Sequence, residues 1–203
     1  MAALWLFALL CSGPSISAAP AKWTNSFAGP FIAVHGRQWM DCPSGRSENL
    51  IRTTIQVSQF RNPKVEAQTT LQRVTGNITL DVPLTNKGVL YMKARSGSKD
   101  KWTDNMYTLK LTGGVCKAYM DHMPDLMRKI FKLEPEEHRN PSCVIPKGVY
   151  IAEDTPVNWS LPKLPIFPYG TWRTEVGIDI GTDVKPRNIM CFVVDVMTIP
   201  KLQ

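Results

Sequence analysis

Three histidines, His35, His122 and His138, are the only imidazoles in the chain. None stands at a spacing that pairs it with a nucleophile. The sequence has no G-x-S-x-G elbow, no H-E-x-x-H pair and no glycine loop shaped to cradle a phosphate. Glu134, Glu136, Glu137 and His138 are the one cluster with metal-ligand chemistry. They follow a helical pattern, however, and carboxylates are disfavoured at a helix C-terminus, so a solvated turn is the simpler reading. His122 falls in the first turn of that pattern, where packing or exposure accounts for it. No catalytic residue, cofactor or metal is expected.

Cysteines offer a different chemistry. Cys11 lies in an apolar run, Ala2 to Leu10, followed by Ala19-Pro20-Ala21, which fits a small-x-small cleavage site. Residues 1–21 read as a secretory signal peptide, although the usual basic residue near the start is missing. The run falls short of the roughly 20 apolar residues that a membrane span needs. Residues 22–203 then form one soluble, secreted domain. Cys42, Cys116, Cys143 and Cys191 remain, and in an exported chain they suggest two disulfides with three possible pairings. A Cys116–Cys143 bridge with Cys42–Cys191 is favoured, because Cys116 and Cys143 bracket the helical pattern. No C-x-x-C pair supports a zinc site. The sequons at Asn77 (Asn77-Ile78-Thr79) and Asn158 (Asn158-Trp159-Ser160) would carry glycans if exposed.

The formal charge of +7 lies wholly beyond residue 21. Lys93, Arg95, Lys99 and Lys101 form one basic group and Arg128, Lys129 and Lys132 another. A solvated face explains them, and transient contact with an anionic membrane surface is the functional alternative. Nucleic acid is not expected as a partner, since no reading motif is present.

The apolar residues carry more information. Tyr119, Met120, Met123, Leu126, Met127, Ile130 and Phe131 recur at the three-and-four spacing of one helical stripe. Pro124 is tolerated in a first turn, so Asp121 is the expected N-cap of a helix running to about Leu133. Thr155 to Gly170 holds Pro156, Pro162, Pro165 and Pro168 among Trp159, Leu161, Leu164, Ile166, Phe167 and Tyr169. Proline keeps this segment off a central strand, so its apolar side chains must cap a sheet edge or cover the mouth of a pocket.

The remaining chain reads as strands. Alternating runs appear at 51–58, 78–84, 106–111 and 172–180, a short apolar run at 31–34, a strand of mixed character at 68–74 and further strands at 89–94 and 148–152, and an apolar run at 189–197 reads as a central strand. Pro43-Ser44-Gly45, Gly76-Asn77, Asn86-Lys87-Gly88 and Ser96-Gly97-Ser98 read as turns. The sum is an antiparallel β sandwich or cup of about eight or nine strands with one α-helix.

Two stretches then resemble a known family. Asn140-Pro141-Ser142-Cys143-Val144-Ile145-Pro146-Lys147-Gly148-Val149-Tyr150 resembles the cysteine-proline-x-x-x-glycine-x-tyrosine signature of a large family of secreted insect proteins. Leu161-Pro162 through Pro168-Tyr169-Gly170-Thr171-Trp172-Arg173 resembles that family's leucine-proline and glycine-x-aromatic-basic segment. The family includes the CheA and CheB chemosensory proteins and is similar to the ganglioside activators of the wider ML-like lipid-recognition superfamily. Val144 replaces the signature's proline, and four mature cysteines are fewer than ganglioside activators carry, so the insect branch is the closer match. The resemblance implies a β cup with a deep apolar cavity, one helix, a rim loop that meets lipid, and no catalysis.

The expected function is a secreted carrier for a lipid or other long apolar molecule, in chemosensory detection if the insect resemblance extends to role. Burying about ten methylenes at about 0.8 kcal/mol each would supply the affinity. The expected lining from the helix is Met123, Met127, Ile130 and Phe131. The loop adds Trp159, Leu164 and Phe167, and the strand after it adds Trp172, Val176 and Ile178. The alternative is a secreted interaction module with a solid core, whose proline-rich loop docks on a receptor or partner protein.

Overall fold

The computed structural model describes residues 27–43, 47–60, 71–98, 101–103, 107–133, 143–182 and 185–201. The expected signal peptide and the acidic cluster at 134–138 lie outside the described residues. In chain order come β1 (Ala28–Gly29), β2 (Phe31–His35), β3 (Met40–Asp41), β4 (Ile51–Thr53), β5 (Gln56–Val57), β6 (Gln72–Leu80) and β7 (Val89–Ser98). Then follow β8 (Lys101–Trp102), β9 (Tyr107–Leu111), α1 (Val115–His122), α2 (Pro124–Ile130), β10 (Gly148–Val157), β11 (Phe167–Pro168), β12 (Gly170–Thr182) and β13 (Lys185–Pro200). Strands outnumber the sequence expectation because five of them are only two residues long.

The strands form two antiparallel layers. A seven-stranded sheet runs β2-β13-β12-β7-β8, with β3 also on β13 and β9 also on β7. A four-stranded sheet runs β10-β6-β4, with β5 continuing on β6 beyond β4. The longest strands, β12 and β13, pair with each other along their length and sit inside the larger sheet, with 174–178 and 189–192 buried on both faces. One side-chain cluster joins both layers and both helices.

Gly76-Asn77 does not turn. β6 passes straight through it, with Ile78 opposite Thr53 on β4 and Thr75 opposite Gln56 on β5. The neighbouring strand breaks beside Gly76, and the Thr54 carbonyl oxygen lies 2.5 Å from where a Cβ would stand. Gly76 has φ +123, a conformation that β-carbon-bearing residues avoid. A glycine read as a turn is thus a point of close backbone approach inside a strand.

The single expected helix is two. α1 begins six residues before Asp121, and Met123 (φ −134, ψ 56) separates it from α2, where Pro124 occupies the first turn. Proline cannot accept a preceding helical turn, so it starts a helix rather than continuing one. The N-terminus of α1 is satisfied from a distant loop. Asn86 Oδ1 accepts from the Lys117 amide at 2.9 Å, and the Thr85 carbonyl accepts from the Cys116 amide at 3.1 Å.

The helices form a side wall, α1 against β7 and α2 against β10, closing the gap between the two sheet edges. Opposite, the β2–β3 connection reaches the small sheet through a bridge between Gln38 and Gln56. Two disulfides, Cys42–Cys191 and Cys116–Cys143, complete the frame in the pairing favoured from topology. None of the helices among the described residues is long and apolar enough to cross a membrane.

Candidate functional site

Register places the inward side chains of the large sheet in rows. Leu90, Ile178 and Met190 lie side by side, then Met92, Val176 and Phe192, then Ala94, Thr174 and Val194. Each row faces Ile51, Ile78 and Leu80 of the small sheet across a cavity of about 140 Å³. Tyr119, Met123, Leu126 and Phe131 supply the helical wall, and Leu161, Leu164 and Phe167 the proline loop.

The loop closes one end. Phe167 packs against Trp172 (5.2 Å between ring centroids), Phe31 (5.7 Å) and Tyr107 (5.5 Å). The β1–β11 pair holds it in place through Ala28 opposite Pro168 and Gly29 opposite Phe167. At the start of the loop, Asp125 Oδ2 of α2 accepts from the Asn158 amide at 2.7 Å, and Lys129 Nζ donates to the Pro156 carbonyl at 2.6 Å. Loop and helix turn meet at His122. Burial lowers its pKa, Asp121 opposes that, and Lys163 of the loop lowers it further. Met123, Leu161 and Leu164 on these two segments are half-buried, as are Leu109 and Leu111 on β9.

Polar groups at the wall are few and mostly engaged. Thr198 Oγ1 accepts from Trp172 Nε1 at 2.9 Å and donates to the Pro168 carbonyl at 2.6 Å. Arg52 donates to both carboxylate oxygens of Asp81, at 2.5 and 3.1 Å. The Tyr119 hydroxyl points to Met190 Sδ at 3.7 Å, and burial pushes its pKa up. His35 and Trp39 are the exceptions: His35 Nδ1 and Trp39 Nε1 have no partner among the described residues. Burial lowers the His35 pKa to about 4, so that ring is neutral at physiological pH. The described residues hold no metal-ligating group of three or more acidic, histidine or cysteine side chains.

Of the residues expected to line a site, the structure brings Met123, Phe131, Leu164, Phe167, Trp172, Val176 and Ile178 to one cavity. Met127 and Ile130 are fully buried on α2, which packs on β10, and fill the core instead. Trp159 is not at a rim. It is buried, with its ring 4.1 Å from that of His35. Sequence reasoning missed His35 and Trp39, because the stretch from Lys22 to Asp41 has little periodicity to place them. It also missed Met190, Phe192 and Val194, which the alternation of β13 could have supplied. The sequon residues Asn77 and Asn158 are exposed. Thr54 Oγ1 donates to Asn77 Oδ1 at 3.1 Å, and Asn158 Oδ1 accepts from the Ser160 amide at 3.0 Å.

No protein-family model and no curated protein sequence matches this chain.

Proposed function

We propose that this protein is a secreted, non-catalytic carrier that binds an apolar molecule between its two sheets. The observation that supports this is the cavity, whose walls come from β6, β7, β12 and β13 among the long strands and from both helices, and are almost wholly hydrocarbon. A void of about 140 Å³ matches what holds a benzene-sized molecule, while pockets for drug-sized ligands run to about 300–1,000 Å³. The closed form therefore seats a ring or a short chain, not the ten methylenes expected from sequence. A longer lipid needs the loop at Leu161 and Leu164 to part from the turn at Met123. Two disulfides suit an oxidising compartment and so favour export. The resemblance to the insect CheA and CheB proteins makes chemosensory delivery the role of choice.

Mass spectrometry of organic extracts from protein secreted by a eukaryotic host tests the carrier reading. A stoichiometric apolar species is expected. Its absence, together with no uptake of added octane or octanol, would remove the reading.

The outer side of the loop favours a second role beside the first. Ile166 (59% exposed) and Phe27 (70% exposed) stand near the β1–β11 pair, with Pro162 and Pro165 also exposed. That surface offers a contact for a receptor, a partner protein or an anionic membrane while cargo is exchanged.

A further inference from the structure

Five buried side-chain polar atoms lack a partner among the described residues. Three of them, His35 Nδ1, Trp39 Nε1 and Trp159 Nε1, belong to one aromatic stack. The ring centroids of His35 and Trp159 are 4.1 Å apart, those of Trp39 and Trp159 6.0 Å, and those of His35 and Trp39 6.2 Å. Buried donors and acceptors are normally paired, so three unpaired in one stack call for an explanation. His35 and Trp39 both line the cavity.

The stack is firmly built. Gln72, almost wholly buried, accepts from the His35 amide and donates to the His35 carbonyl, each at 2.8 Å. Trp39 lies flat on Phe192, with centroids 4.6 Å apart and planes 8° apart. Gln72 thus holds the His35 backbone and Phe192 the Trp39 ring, and both residues stand at the edge of an otherwise hydrocarbon space.

We propose that this corner selects ligands carrying one uncharged oxygen group, such as an alcohol, ester or ketone, held by Trp39 N–H and His35 Nδ1 while the apolar body fills the cavity. This deepens the carrier reading and rests on it. An indole N–H can only donate, so the ligand atom it meets is an acceptor. A neutral imidazole adds either a donor or an acceptor, which suits a hydroxyl or a carbonyl. A carboxylate would need a counter-charge in this low-dielectric space. The cation in the lining, Arg52, is already paired with Asp81.

The test uses 1-octanol, octane and octanoate as probes of matched length, titrated calorimetrically into the full mature protein at pH 7.5. Trp39→Phe removes the N–H and keeps a ring to stack on Phe192. It should weaken octanol about five- to tenfold, the usual net worth of one hydrogen bond, and leave octane unchanged. Octanoate should bind the unaltered protein at least tenfold more weakly than octanol. In the unaltered protein, the Trp39 indole N–H resonance should move downfield with octanol and not with octane, a readout independent of how the variant folds. If octane and octanol bind but lose affinity equally in Trp39→Phe, or the resonance ignores octanol, the anchor is overturned and the carrier stands. Preference for octanoate overturns the uncharged-ligand assignment. If none of the three binds, carrier and anchor fall together.

Discussion

Ala94 on β7 offers a direct measure of the hollow. It is buried, pairs with Thr174 on β12 and Tyr107 on β9, and faces the cavity. A void of about 140 Å³, at about 24 cal/mol per Å³, costs the unfilled fold on the order of 3 kcal/mol. Ala94→Leu places three further carbons in that space. At about 0.8 kcal/mol per buried carbon this recovers about 2 kcal/mol, less some lost rotamer freedom. A net gain of about 1–2 kcal/mol corresponds to a rise in Tm of about 2–8 °C for a chain of this size. The ligand-free protein, followed by circular dichroism on heating, should show that rise. The same variant should lose uptake of an environment-sensitive naphthalene dye. Overpacking of a filled core instead destabilises by about 1–3 kcal/mol. A fall in Tm of that size, with dye uptake unchanged, would mean that the layers touch at Ala94 and that the reasoning about the cavity is wrong.

Gly76→Ala should lower stability by about 3 kcal/mol, since a Cβ at φ +123 meets the Thr54 carbonyl; urea unfolding gives the value. Removing the Cys116–Cys143 bridge by paired alanine substitutions frees a loop with a sequence separation of 27 and should cost about 3.5 kcal/mol, read from the same denaturation midpoints. His35, with a pKa lowered from 6.5 to about 4 by burial, makes stability depend on pH. Above pH 6.5 the ring is neutral in both states. As the pH falls from 6.5 toward 4, the unfolded chain binds a proton that the folded chain refuses, and about 3 kcal/mol is lost; His35→Phe should flatten that slope in thermal melts. Protein from a eukaryotic secretion host should carry glycans at Asn77 and Asn158, each removed by its own Asn→Gln change in intact-mass spectra. Asn77 and Thr79 stand directly beside the exposed Ile151 and Val149, so Asn77→Gln should also lower the solubility limit.

Period and punctuation made much of this legible. The alternation of Trp172, Val176 and Ile178 marked β12, the apolar run at 189–197 marked β13 as a central strand, and the Cys116 and Cys143 positions gave the bridge across the helical segment. What misled were residues whose meaning depends on distant partners. Pro124 was compatible with one long helix until Asn86, 31 residues away from Lys117, was found capping an earlier one. Gly76-Asn77 looked like a turn because local pattern cannot reveal the Thr54 carbonyl pressed against it. Trp159 looked like part of a rim because apolar residues in a proline loop carry no sign of which face is buried. His35 and Trp39 were invisible as a pair, since only the fold turns their weak, aperiodic segment into two rings behind which Gln72 and Phe192 stand.

The bridge between Cys116 and Cys143 anchors the start of α1 to the segment that leads into β10, so that flank is the stiff part of the shell. Stiffness is distributed unevenly as a result. The segment bearing Leu161, Leu164 and Phe167 is held at its far end by two rungs of β1–β11 pairing, by the Thr198 hydroxyl on the Pro168 carbonyl and by Tyr169. In the proposed carrier, compliance is confined to that short flap, and loading would follow hinge kinetics of microseconds to milliseconds without the sandwich itself having to breathe.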